Sequence, residues 1–407
     1  MSALASGSPA AALFTAAAIR ERCANIASAV TAGSSQSFRI DRSRLTATAQ
    51  QVADITRRRY PDLRIPYHSR WRHFEAGAID RGAELAHALT GNDAAHCARA
   101  RIDLTVVSVL LDAGAGPLWS YREAVSGERH ARSEGLGVAT FRAFMAGVFS
   151  ADAEDPLRVD AAALAGIDSA KLAAIFQVDA DNPLVGLDGR AALLRRLGVA
   201  LSANRDVFGT LARPGALYDA MTARGEQQVT AAALLRALLA GLNSIWLTGN
   251  ALDGTPLGDT WRHPHAGGAG PTAGWVPFHK LSQWLAYSLF EPFEWAGRRV
   301  VDRDALTALP EYRNGGLLLD TGVLSLADPS DAHRTFDAGS ELVVEWRALT
   351  VALLDELAPL VRERLGIPDL PLACILEGGT WAAGREQAQR LRNGAPPLDI
   401  RSDGTVF

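Results

Sequence analysis

Cysteine is scarce in this 407-residue chain. Cys23, Cys97 and Cys374 stand far apart, in no CxxC or Cys/His arrangement. That excludes a disulfide framework and a structural zinc cluster, and it predicts a protein of a reducing cytoplasm. Lysine is scarcer still: only Lys171 and Lys280 occur among the 41 basic residues, so a lysine inside a motif is not there by abundance. A basic excess is also missing. With a formal charge of −4, the chain lacks the cationic surface that displaces counterions from a duplex, and nucleic acid is not an expected partner. Ala10 to Ala18 is mildly apolar, but Arg20, Glu21 and Arg22 follow at once, too soon for a signal peptide or a membrane span. Residues 1–9 are expected to dangle. Neither a GK[ST] ending nor a GxSxG elbow occurs, which excludes a Walker A loop and leaves Ser-His-Asp chemistry without its context.

What is there is a globular composition, 48% apolar and 21% charged, carried mostly by helical spacing. Ile19, Cys23, Ile26 and Val30 predict a helix over Ala16–Ala32, stopped by Gly33. Leu45, Val52 and Ile55 predict another over Ser43–Arg59, closed by Tyr60-Pro61. Two runs over Ala83–Asp112 split near Gly91-Asn-Asp93. Short helices are expected over Thr140–Val148, Leu157–Leu164, Ser169–Phe176 and Leu187–Leu201, with Asp168 as an N-cap and Gly166 between two of them, a spacing similar to a helix-hairpin-helix unit. Two more lie within Arg213–Gly241, one over Val276–Phe290, and a long one over Leu342–Leu365 that Pro359 interrupts. Minor strand content is expected near 297–301 and in the tail from Leu372 to Phe407, which is expected to hold a single helix around Glu386–Leu391. The reading is a mainly α protein forming one unit over 10–407, with two lobes (10–135 plus 245–407, and 136–244) and the site between them.

Four segments carry chemistry. The loop Ile65-Pro-Tyr-His-Ser-Arg-Trp-Arg-His-Phe74 packs His68, Arg70, Trp71 and His73 into a stretch without a period. Gly267-Gly-Ala-Gly-Pro-Thr-Ala-Gly274 has the form of a glycine-rich loop feeding a helix start, where free N–H groups welcome an anion. Phe278, His279 and Lys280 follow it in what reads as the helix's first turn, a place where cations are disfavoured unless something anionic is near. Glu311, Tyr312 and Arg313 precede Gly315-Gly316, with Asp320 beyond an apolar stretch. Ile375-Leu-Glu377-Gly-Gly-Thr-Trp381 sets a carboxylate after a strand-like run. Two carboxylates with aromatic neighbours are what glycosidic cleavage needs. His68, His73, His263 and His265 also allow a four-histidine metal site to be drawn, though no carboxylate completes a recognised ligand pattern. No metal and no cofactor is assigned.

The runs Ile65–Glu75, Trp275–Trp284 and Glu377–Trp381, with the ending Ser402-Asp-Gly-Thr-Val-Phe407, resemble the uracil catabolism protein 4 family across almost the whole chain. A more distant resemblance is to the queuosine salvage family. It rests on Phe38-Arg-Ile-Asp41, Asn182-Pro-Leu-Val185 with Arg190 to Gly198, Val276-Pro-Phe-His-Lys280, Glu311-Tyr-Arg313 with Gly322-Val-Leu324, and Ile375-Leu-Glu377 with Trp381. That family has Asp-Tyr-Arg where Glu311 stands, and an aspartate where Ser288 falls. These resemblances imply a helical DNA-glycosylase-like architecture and hydrolysis of an N-glycosidic bond. The substrate they imply is a ring-opened pyrimidine ribonucleotide, a ribosylurea or its 5′-phosphate. Glu311 is then the expected cation-stabilising carboxylate, with Glu377 or Asp320 as acid or binder. Lys280, His279, Arg313 and Arg70 are expected on the phosphate, Trp381, Trp71 or Tyr312 around the ribose and ureide. The alternatives are a non-catalytic nucleotide-binding or scaffold protein of the same pathway, and a metal-dependent amidohydrolase built on the four histidines.

Overall fold

Thr15 opens the first long helix, Ala16–Thr31, by accepting the Ala18 amide on its hydroxyl at 3.0 Å, which satisfies one of the N–H groups that a helix start leaves without a partner. In this computed structural model, which describes residues 8–401, the same device recurs. Asp93, Asp160, Asp168 and Thr230 cap the helices Ala94–Leu110, Ala161–Ala165, Ser169–Ile175 and Ala231–Leu242. The dangling segment expected over 1–9 lies outside the described residues except for Ser8 and Pro9, where Pro9 begins a 3-10 turn.

The protein is mainly helical. At its centre runs Glu341–Leu365, a helix that carries Pro359 inside it and packs against Ala16–Thr31 and Leu45–Arg59. Ile19, Cys23 and Ile26 meet its Val344, Ala348 and Val351 in one small apolar cluster, the contact that three-and-four spacing encodes. The helix Lys280–Trp295 is buried from Leu281 to Phe293 and lies on Ala94–Leu110. The two short helices either side of Gly166 pack on Leu187–Ala203. One apolar cluster, from Ala10 to Leu398, takes in side chains from all of these helices. Each fully buried leucine or valine contributes ~1.5–3 kcal/mol. Among the described residues every sheet has two strands, so strands tie loops down and do not build a layer. Phe38–Ile40 pairs antiparallel with Leu324–Leu326, and Thr335–Asp337 pairs parallel with Asp399–Arg401. Arg299–Val301 pairs parallel with Gln228–Thr230.

Several expectations are corrected. The helix expected from Val276 starts at Lys280, because Trp275–Pro277 is a strand paired with Thr260–Arg262 and His279 turns the chain at φ 46°. The glycine-rich segment therefore feeds a strand. Its Gly267 and Gly268 lie on Asn25 and Arg22 of the first helix. The strand-like run at Ile375 is helical: Leu372–Ile375 continues through a π turn, Leu376–Thr380, into Trp381–Arg392. Its glycines serve packing, since a Cβ on Gly379 would overlap Val52 of the neighbouring helix. The helix expected from Thr140 begins earlier, as Arg132–Met145.

Candidate active site

Asp259 explains how a lysine comes to stand at a helix start. Its Oδ2 accepts the Lys280 amide at 3.0 Å, and Arg347 donates to both its oxygens at 2.8 and 2.7 Å. Burial alone would raise this carboxyl, but the Arg347 charge and these hydrogen bonds hold it at about 2. Asp259 was not singled out in the sequence, being separated from Lys280 by the glycine-rich segment. The Lys280 ammonium is pushed down by burial and by Arg347, and supported by Glu311, Asp259 and Asp112.

Lys280 faces a cavity of about 650 Å³, and so do His68, His73, Glu311, Tyr312, Arg313 and Trp381. Sequence segments more than three hundred residues apart thus converge on one volume, within the usual size of a small-molecule site. Glu311 is the N-cap of Tyr312–Asp320, with its carboxylate accepting the amides of Arg313 at 2.9 Å and Asn314 at 2.6 Å. Two amide donors and the helix dipole fix this carboxylate in direction. Arg313 lies over Trp381, 4.4 Å from its ring centroid, and over Tyr312 at 5.0 Å. The two helices approach closely enough for this because Gly384 offers no Cβ to meet the Arg313 carbonyl. Gly315 likewise makes room for Trp346, so the glycines of this motif also serve packing.

His68 sits between the cavity and Glu377. Its Nδ1 is 2.9 Å from Glu377 Oε2, and Arg59 and Tyr60 donate to the other oxygen at 3.0 and 3.2 Å. Burial would raise the Glu377 carboxyl, yet the His68 hydrogen bond and the Arg59 charge hold it below its ordinary value. Glu377 does not line the cavity. His73 is pushed down to about 3 by burial and by Arg70. Arg70 Nη1 lies 3.3 Å from His73 Nδ1, so a neutral ring accepts there and offers Nε2–H as a donor.

The remaining candidates are elsewhere. Arg70 is fully buried, donates to Ser108 and the Ser133 carbonyl, and sits 2.9 Å from Asp112 Oδ1 in an ion pair without hydrogen-bond alignment. Trp71 is buried against Phe74 and Trp295, its indole donating to the Ser288 carbonyl. Phe278 lies under Arg347, and His279 Nε2 is 3.1 Å from the Leu13 carbonyl. Burial pushes His279 down to about 4. Asp320 is at the far end of its helix, clamped by Arg392 at 2.8 and 2.7 Å. His263 pairs with Glu345 at 3.3 Å, and no group of three or more His, Cys, Asp or Glu among the described residues has a metal-ligand arrangement. The four-histidine site is not formed.

Three parts of the wall carried no sequence signal. Asp112 to Pro117 forms one side, held in shape by the buried Arg190, which donates to the carbonyls of Leu111 and Ala113 at 3.0 and 2.7 Å. Arg132 and Ser133 line it as well, together with Trp284, which belongs to the run Trp275–Trp284 that the sequence did mark. The chain after Trp381–Arg392 turns at Asn393 and Gly394, both with positive φ, and lines the cavity on its way to the Asp399–Arg401 strand.

The chain matches, over residues 12–407, the model of a family described as protein of unknown function, DUF1688. It is 39% identical to "Uracil catabolism protein 4" of Lachancea kluyveri, an alignment covering 92% of this chain and 93% of that protein. It is also 39% identical to "Protein urg3" of Schizosaccharomyces pombe over 96% of each chain. On a family match and relatives of this extent, the chain belongs to the DUF1688 family.

Proposed function

We propose that this protein acts in uracil or pyrimidine catabolism, as the name of one relative says of that protein, and that its cavity hydrolyses the N-ribosyl bond of a ring-opened pyrimidine ribonucleotide, a ribosylurea or its 5′-phosphate. The observation that carries the reading is that a carboxylate fixed by two amide donors, Glu311, shares one cavity with His68, an imidazole backed by Glu377. As the C1′–N bond breaks, its electron pair leaves with the ureide nitrogen and positive charge builds on the ribose. Glu311 stabilises that charge better than water does, because its orientation is paid in advance by folding. His68 gives its proton to the departing nitrogen, a poor leaving group without one, and Glu377 supports the imidazolium. Water then bonds to C1′ and loses a proton to Glu311. Lys280 and Arg313 supply positive charge for an anionic substrate, His73 a neutral donor, and Trp284 and Trp381 walls for the flat ureide and the sugar.

The test is incubation of the purified protein with ribosylurea and its 5′-phosphate in ¹⁸O-water, read by mass spectrometry. The expected products are urea and a pentose, or pentose phosphate, with one ¹⁸O at C1. Recovery of intact substrate alone would overturn the proposal.

A further inference from the structure

Arg132 is an exposed arginine on the wall of this cavity, and among the described residues its guanidinium makes no hydrogen bond and no ion pair. Nearby arginines are engaged differently. Arg385 pairs with Glu134, Arg392 with Asp320, and Arg401 with Asp337. The backbone of Arg132 takes φ 56°, a left-handed conformation that a residue with a Cβ adopts only where its surroundings enforce it. Ser133 follows on the same wall, and its hydroxyl is also without a hydrogen-bond partner among the described residues. Gly394 is also close to the guanidinium: a Cβ there would stand 3.9 Å from Nη2.

The carboxylates that share the cavity are already engaged. Asp112 is paired with Arg70, Glu311 holds the amides of its own helix, and Asp399 accepts from Thr335. The wall therefore presents a cation and a hydroxyl without a partner among the described residues, and His73 is close by, since its Nδ1 and the Ser133 carbonyl lie 3.3 and 3.1 Å from the same Arg70 nitrogen. We infer that the cavity binds a phosphate monoester between Arg132 and Ser133, and that Arg132 sets the preference for a phosphorylated over an unphosphorylated sugar. A guanidinium suits this because its planar fork matches two phosphate oxygens at once, and because it keeps its charge at any working pH. That the monoester is a ribose 5-phosphate rests on the N-ribosidase reading. The phosphate grip stands without it.

The test is calorimetric titration of the full-length protein with ribose 5-phosphate, ribose and inorganic phosphate, repeated on Arg132→Gln and Arg132→Lys. Wild type is expected to bind ribose 5-phosphate at least tenfold more tightly than ribose. Arg132→Gln should reduce that ratio by about ten- to a hundredfold, the range for losing a charge-assisted hydrogen bond, and Arg132→Lys should restore part of it. Circular dichroism melting confirms that each variant is folded. A ratio unchanged within twofold in folded Arg132→Gln overturns the inference, as does equal binding of ribose and ribose 5-phosphate by wild type. Binding of inorganic phosphate as tight as that of ribose 5-phosphate would mean an anion site that does not read the sugar, and also overturns it. If the ratio behaves as expected while no ribosylurea compound is hydrolysed, the grip stands and the N-ribosidase reading falls.

Discussion

His68 Nδ1 lies 2.9 Å from Glu377 Oε2, and it is His68 that faces the cavity, with Glu377 behind it. Of the two acidic motifs in the sequence, then, one reaches the cavity only through an imidazole. Replacing Glu377 by Gln keeps the shape and removes the charge that orients and supports His68. Steady-state kinetics on ribosylurea 5′-phosphate should show kcat down on the order of 10²-fold with little change in KM. Since the two act as a unit, Glu377→Gln added to His68→Gln should cost little more than His68→Gln alone. Additive losses would contradict the pairing.

His73 and His279 are held down to about 3 and about 4, in both cases chiefly by burial. Neither ring should titrate between pH 8 and pH 5 in NMR spectra of the folded protein. Because the unfolded chain takes up protons below its ordinary imidazole value and the native chain does not, folding stability should fall as pH drops below about 6.5 and keep falling toward these depressed values. Glu377 adds to this at lower pH, where its stabilising charge is lost as pH falls through its own depressed value. An imidazole midpoint near 6.5 for either histidine, or urea midpoints that do not change between pH 7.5 and 5, would contradict these assignments.

Asp320 has a different part to play from the one its sequence neighbours suggest. Its side chain is 4% exposed and takes both terminal nitrogens of Arg392, the last residue of its helix before the chain goes on to line the cavity. Asp320→Asn should destabilise the protein by about 1–3 kcal/mol in urea denaturation, the range for weakening a charge-assisted pair that is partly exposed. Amide exchange in 393–401 should rise with it. Loss of turnover comparable to that of Glu311→Gln, with stability unchanged, would return Asp320 to the chemistry.

The helices were legible where spacing and caps agreed. Ile19, Cys23 and Ile26 mark a face, and Asp168 marks a start. The site was legible where chemistry was dense, since His68, Lys280, Glu311 and Trp381 come from the very runs that stood out. What escaped has a physical reason. A helix and a strand of four apolar residues look alike, so Leu372–Ile375 read as extended. Glycines that admit a neighbouring helix, such as Gly379 and Gly384, look the same as glycines that admit a ligand. Asp112, Arg132 and the chain around Asn393 have no pattern of their own, because only the fold brings them to the cavity.

The account turns on Glu311, and the measurement that reaches it most directly is the single-turnover rate of Glu311→Gln on ribosylurea 5′-phosphate. The glutamine keeps an oxygen to cap Tyr312–Asp320 and removes the charge that the proposed mechanism sets beneath the ribose. The predicted result is a rate lower by about two to four orders of magnitude, with the melting temperature close to that of wild type. A rate within threefold of wild type would show that the charge is not needed, and would contradict the mechanism at its root.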